Sequence, residues 1–225
     1  MKSSEKKQKA VIIILGPSGS GKEIQAELLR KKFGVDCIGS GQLLRERGKK
    51  KDFTGRKILQ TIDRGGLMMT PVIFKLWVDR FEKLKNKKNL KGFIMCGCPR
   101  KIFEARLIEE TLKWYEWNKN VKVILIDISP KESVRRLTKR RMCEKCGKII
   151  FYADKFVKIK ECPVCGGEII KRADDTVAGI KRRLAWFKND VQPVINYYRK
   201  TGRLIKINGE QSIENVFSDI LKALK

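Results

Sequence analysis

Apolar residues in this chain fall into short, nearly unbroken runs. Longer stretches lie between, where they recur every three or four positions. The runs are Ala10–Leu15, Val35–Ile38, Gly92–Cys96, Val121–Ile128 and Leu204–Ile207. A run apolar at almost every position suits a strand buried on both faces. The intervening periodic stretches predict helices. One follows Lys22, with Ile24, Leu28 and Leu29 on one side, and a short one covers 56–64, while Gly39-Ser40-Gly41 is expected to break the chain before Gln42–Arg47. Thr70-Pro71 opens another, carrying Val72, Phe74, Leu76, Trp77, Phe81 and Leu84. Further helices are predicted over 102–117, over the basic segment Ser133–Arg141, over 176–200 with a kink or break at Pro193, and over Ile213–Leu224. Strands alternating with helices predict an α/β fold, a parallel sheet covered by helices on both faces. No internal repeat is present.

Residues 142–171 break this pattern. Cys143-Glu-Lys-Cys146 and Cys162-Pro-Val-Cys165 are two C-x-x-C pairs with fifteen residues between them. That is a zinc-site spacing, and four thiolates make a closed tetrahedral shell, so the metal is expected to be structural. Two disulfides or four free thiols are the alternatives, and a cytoplasmic chain disfavours the disulfides. Cys37, Cys96 and Cys98 read as small residues in or beside the sheet. Cys96 and Cys98 would share a face if the strand ran through both.

The first run leads into Gly16-Pro17-Ser18-Gly19-Ser20-Gly21-Lys22 and then a helix. A glycine-rich turn between strand and helix lets backbone N–H groups face an anion at the helix's positive end, and Lys22 adds a full charge. The hydroxyl residue usual after that lysine is absent, since Glu23-Ile24 follows.

Composition narrows the partners. The 225 residues suffice for one α/β domain with inserts. No apolar run approaches the ~20 residues of a membrane span. The segment Met1–Lys9 has no signal-like apolar core, so a cytoplasmic protein without membrane contact is expected. A net charge of +27 points to anionic partners. Its lysines are spread over Lys49–Lys51, Lys83–Lys91, Lys119–Lys122 and Lys155–Lys160, which suits a solvated basic surface better than dedicated nucleic-acid binding. Histidine is absent, which excludes imidazole acid–base chemistry and imidazole metal ligation.

Several further motifs join these in order: Ser40-Gly41-Gln42-Leu43-Leu44-Arg45, Gly97-Cys98-Pro99-Arg100, Arg136 with Arg140-Arg141, Arg172-Ala173-Asp174-Asp175, Arg182-Arg183-Leu184, Tyr197-Tyr198 and Ile207-Asn208-Gly209. With the glycine-rich loop and the cysteine block, the chain from Ala10 to Leu224 resembles the adenylate kinases, in the long form whose lid carries a zinc knot. The resemblance implies a P-loop nucleoside monophosphate kinase fold. Its core would comprise 1–38, 69–138 and 176–225, its monophosphate-binding insert 39–68, and its lid 139–175. It implies a monomer that converts ATP and AMP to two ADP with magnesium. It gives Gly16, Ser18, Gly19, Ser20, Gly21, Lys22, Arg136 and Arg140 to ATP, with Arg136 over the base. Ser40, Arg45, Met68, Gly97, Arg100, Glu104, Arg172 and Arg183 go to AMP. Lys22, Arg140, Arg172 and Arg183 go to catalysis.

The chain also departs from that pattern. Cys96 and Gln42 stand where the family usually has aspartates, Ile24 replaces a hydroxyl, and Glu23 brings a carboxylate near the phosphates. Support for magnesium is therefore expected to be thin, because a thiol is a poor ligand for a hard cation. A catalytically weak nucleotide-binding protein is the alternative this raises. Glu104 replaces a glutamine that commonly reads adenine. An ionised glutamate only accepts hydrogen bonds, which predicts an acceptor preference loosened or shifted away from AMP.

Overall fold

A computed structural model describes residues 9–150, 159 and 161–224. The N-terminal tail to residue 8 and most of the lysine-bearing stretch 155–160 lie outside the described residues. Five parallel strands form the central sheet in the order β2-β3-β1-β4-β8: β1 (Ala10–Leu15), β2 (Asp36–Gly39), β3 (Gly92–Cys96), β4 (Val121–Asp127) and β8 (Leu204–Asn208). Alternate residues of these strands face opposite cores. Val11, Ile13, Phe93, Met95 and Val123 pack on α4 (Thr70–Lys85), α5 (Ile102–Trp114) and α8 (Gln192–Lys200). Ile12, Ile14, Ile94, Ile124 and Ile126 pack on α1 (Lys22–Phe33) and α9 (Ile213–Leu224). Double-sided burial is what the unbroken apolar runs predict, and each large apolar side chain so buried contributes about 1.5–3 kcal/mol.

Two elements project from this core. Helices α2 (Ser40–Gly48) and α3 (Phe53–Asp63) pack on each other between β2 and α4. The second projection is an antiparallel sheet of β6 (Ile149–Ile150), β5 (Arg141–Cys143) and β7 (Ile169–Ile170), which carries the cysteines. Between β4 and β5 runs α6 (Pro130–Lys139). Ser129 caps α6, its Oγ accepting from the Glu132 N–H at 3.2 Å. The helix ends at Lys139, so Arg140 is extended and Arg141 already lies in β5.

One helix end is corrected. Helix α5 stops at Trp114 rather than 117 because Glu116 is left-handed (φ 63°) and the Trp117 N–H returns to the Leu112 carbonyl at 2.7 Å. That turn buries Trp117 among Phe93, Tyr115 and Phe81, with the Phe93 ring centroid 4.9 Å away. Cys96 and Cys98 face opposite cores, because β3 ends at Cys96 and Gly97 turns the chain with φ 71°. The helix expected over 176–200 is α7 (Val177–Trp186) followed by a wide π turn over Phe187–Val191 and then α8. The π turn lies just ahead of Pro193, which cannot donate to an upstream carbonyl.

Candidate active site

The glycine-rich loop joins the end of β1 to α1, at the carboxyl edge of the sheet where β1 sits between β3 and β4. Ligands of open parallel sheets bind at that edge. Two glycines are required by geometry. A Cβ on Gly16 would lie 2.5 Å from the Ile126 carbonyl oxygen, and Gly21, the residue before α1, has φ 86°. Lys22 is buried in the loop with its ammonium donating to the Pro17 carbonyl at 3.1 Å. Burial lowers its pKa. Ser133 on α6 donates to the Ser18 carbonyl at 2.6 Å, which fixes the loop against that helix. Gln25 of α1 donates to the Ile213 carbonyl at 2.9 Å, tying α1 to α9.

A cleft of about 1200 Å³ opens over the loop and reaches the cysteine-bearing sheet. Gly16, Ser18, Lys22, Arg45, Gly97, Arg100, Arg140, Arg172 and Arg183 all line it. Gly19, Ser20 and Gly21 complete the loop beneath. Ser20 is buried, and its Oγ has no partner among the described residues. Arg136 is anchored beside the loop. It donates to Glu132 at 2.6 Å and to the Gly209 carbonyl at 2.8 Å, with a longer contact of 3.4 Å to the Gly19 carbonyl.

Three arginines from separated stretches converge on two aspartates. Arg140 grips Asp175 with both arms, at 2.8 and 2.7 Å. Arg183 on α7 meets the same carboxylate, and reaches Asp174 at 3.2 Å. Arg172 pairs with Asp174 at 2.6 Å. Arg140, Arg183, Asp174 and Asp175 are buried. The two carboxylates hold three guanidiniums together and leave one positive charge uncompensated. Burial lowers the Arg140 pKa, with Arg172 adding to the effect. Arg45, pulled down to about 10 by burial and then by Arg172, feels the same field.

Ser40, Met68, Gly97, Arg100 and Glu104 meet around a small adjoining pocket. Ser40 Oγ accepts from the Trp77 indole N–H at 3.0 Å. Glu104 is buried, so it does not turn to solvent. One carboxylate oxygen accepts from the backbone N–H groups of Arg100 (2.8 Å) and Lys101 (3.3 Å), and the other from the Thr70 hydroxyl (3.3 Å). It therefore caps its own helix.

The positions expected to support magnesium look different. Cys96 is buried beneath Lys22, and its thiol is pushed well above its ordinary pKa, first by burial and then by Glu23, so it is neutral. Gln42 points away to Glu46 at 2.8 Å. Glu23 lies 3.9 Å from the Lys22 ammonium. Burial would raise its pKa, but Lys22, a hydrogen bond from its own backbone N–H, Arg140 and Arg172 hold it at about 2. A neutral thiol and an aliphatic side chain do not fit a hard cation. Among the described residues expected at this position, only the Glu23 carboxylate does.

The cysteine block fits a metal better. The four sulfurs of Cys143, Cys146, Cys162 and Cys165 all lie within 4.8 Å of one another. Cys143 and Cys165 are 3.5 Å apart, Cys146 and Cys162 3.6 Å, too far for disulfides. A tetrahedral zinc with bonds of about 2.3 Å sets its sulfurs roughly 3.8 Å apart. The Cys146 backbone N–H points at the Cys143 sulfur and lowers its pKa, which favours thiolate.

The family model for adenylate kinase matches residues 14–203. The chain belongs to the adenylate kinase family. The adenylate kinase of Methanocella arvoryzae is 37% identical over 215 residues, covering 95% of this chain and 97% of the relative. That of Archaeoglobus fulgidus is 34% identical over 212 residues, covering 93% and 95%. That of Methanothrix thermoacetophila is 37% identical over 217 residues, covering 95% and 97%. Family membership makes this protein a phosphotransferase, and its sheet order, glycine-rich loop and cysteine cluster agree with it. Sequence reasoning quoted Asp174 and Asp175 inside a motif but gave them no role. It missed Thr70, Ser133 and Trp186, which carry no local signal and are brought to the site only by folding.

Proposed function

We propose that the protein transfers the terminal phosphoryl group of ATP to AMP, yielding two ADP, as a cytoplasmic monomer with core, insert and lid divided as the sequence suggests. The observation that carries this reading is the cluster Arg140–Asp175–Arg183–Asp174–Arg172, set in one cleft with Lys22, Arg45 and Arg100.

The acceptor oxygen of a monophosphate is already ionised, so no general base is needed and a histidine-free chain suffices. Catalysis reduces to positioning and charge neutralisation. In this reading the loop N–H groups cradle the donor phosphates, and Lys22 exchanges the Pro17 carbonyl for a phosphate oxygen. Arg140, Arg172 and Arg183 are held in place by aspartates, so they meet the developing charge with little reorganisation. Arg45 and Arg100 fork onto the acceptor phosphate. Arg136 covers the donor base from beside Gly19. Ser40, Met68, Gly97 and Glu104 surround the acceptor base. The lid, tied by zinc on its four cysteines, closes to exclude water. Magnesium bound to the ATP phosphates would neutralise part of their charge, with Glu23 the one carboxylate near Lys22.

A coupled assay for ADP with magnesium titration tests the reading. ADP formation with AMP preferred over GMP and CMP is expected. No turnover above background at saturating magnesium removes the kinase reading in favour of nucleotide binding alone. Equal or better use of GMP would place the acceptor shift at Glu104, whose carboxylate offers only acceptors to the base pocket.

A further inference from the structure

Trp186, the last residue of α7, touches two parts of the acceptor side at once. The Arg100 guanidinium lies over its ring, 5.0 Å from the centroid. Its indole N–H donates to the Gly65 carbonyl at 3.0 Å. Gly65 belongs to the link that returns the α2–α3 segment to α4. A second bond supports the same link, from Arg182 to the Arg64 carbonyl at 2.6 Å. The approach is close, since a Cβ on Gly65 would come within 2.9 Å of the Gly179 carbonyl oxygen in α7. Arg100 is fixed along one edge as well, its Nε donating to the Gly97 carbonyl at 2.9 Å. Its two terminal amino groups have no hydrogen-bond partner among the described residues, and Arg100 lines the cleft.

We infer that Trp186 is a positioning residue for the acceptor phosphate: its ring holds the Arg100 fork in plane while its N–H seats the Gly65 link. A guanidinium fixed by one edge and one face keeps its two outward N–H arms parallel, the geometry that bidentate phosphate binding needs. A flat aromatic surface supplies this where an aliphatic side chain of similar bulk does not. Because α7 also carries Arg183, one helix sets the acceptor fork and part of the arginine cluster together. The inference rests on the kinase reading for the identity of the phosphate.

Two substitutions separate positioning from packing. Trp186→Leu removes the ring face, and Trp186→Phe keeps a face but loses the N–H. For Trp186→Leu the KM for AMP is expected to rise on the order of five- to tenfold, with the KM for ATP moving less than about twofold. Trp186→Phe is expected to recover most of that loss. Tryptophan emission of the wild type should change on titration with AMP in the absence of ATP, and most of this amplitude should vanish in Trp186→Phe. An unchanged KM for AMP in Trp186→Leu, or equal rises for both substrates, overturns the inference. An emission response that is the same in Trp186→Phe also overturns it. If the wild type forms no ADP, the kinase reading fails by itself, and the emission titration still decides the role of Trp186.

Discussion

Around Asp174 and Asp175 the cleft is densely furnished: three arginines share two buried carboxylates, which leaves one positive charge in excess. Around Lys22 it is sparse, with a neutral thiol at Cys96, an aliphatic side chain at Ile24 and one ionised carboxylate at Glu23. The two regions border the same cleft, and in the proposed reaction they face the same phosphates. Phosphate binding and charge neutralisation are thus separable, in this chain, from protein support of a metal. The arginine cluster tolerates little change because its members are mutually dependent. Removing an aspartate leaves Arg140 or Arg172 without its carboxylate, whereas removing one arginine leaves each aspartate with another.

The strongest way to break this contrast is Arg183→Ala. It should lower kcat by about 10²–10³-fold, as loss of a transition-state charge partner does. It should also cost about 1–3 kcal/mol in a urea melt, because two buried carboxylates lose hydrogen bonds while Asp175 keeps Arg140 and Asp174 keeps Arg172. A small effect on both would mean that the cluster is not the functional half of the cleft. Next comes the metal. Elemental analysis should find one zinc per chain, and a strong chelator should melt the lid at a lower temperature than the core in a thermal scan. Activity should fall less than in Arg183→Ala, because Lys22 and Arg100 stay in place. The sparse region should respond in the opposite direction. Cys96→Asp is expected to raise kcat several-fold or lower the magnesium concentration needed for half-maximal rate. No change in either would show that this position does not touch the metal's water shell. The smallest effect is expected at Glu132, outside the contrast but beside the loop. Its carboxyl, held at about 2 by Arg135 and Arg136 against an ordinary 4.5, stabilises the folded state above pH 4.5. That stability is lost as the pH falls from 4.5 toward 2. Urea midpoints of Glu132→Gln should therefore decline less on acidification than those of the wild type.

Much of this was legible before folding, for identifiable reasons. The sheet could be read because strands buried on both faces must be apolar throughout. The glycine-rich loop could be read because its conformation excludes side chains at Gly16 and Gly21. The metal block could be read because two cysteine pairs bring their own spacing. Element ends were less legible. Helix α5 ends three residues early because Trp117 gains more by joining the Phe81–Phe93 cluster than by extending the helix. Cys96 and Cys98 would share a face only in a strand running through both, and the left-handed Gly97 between them sends them into opposite cores. Glu104 could not be placed from sequence, where contact with the acceptor base is the role the resemblance implies. The structure has it capping its own helix beneath Thr70.

By itself, the sequence determined the α/β class, the order of the elements, the phosphate loop, the four-cysteine cluster and the family resemblance. Each rests on residues near one another in the chain, or on a spacing that survives any packing. Tertiary structure alone decided which charges meet. Arg140, Arg172 and Arg183 are separated by up to 43 residues in the numbering, and they share two aspartates only because the chain returns from the cysteine-bearing sheet beside α7. Trp186 stacks on Arg100 for the same reason. Charge pairing and ring stacking act over a few ångströms in space, and sequence distance carries no information about them until the chain has folded.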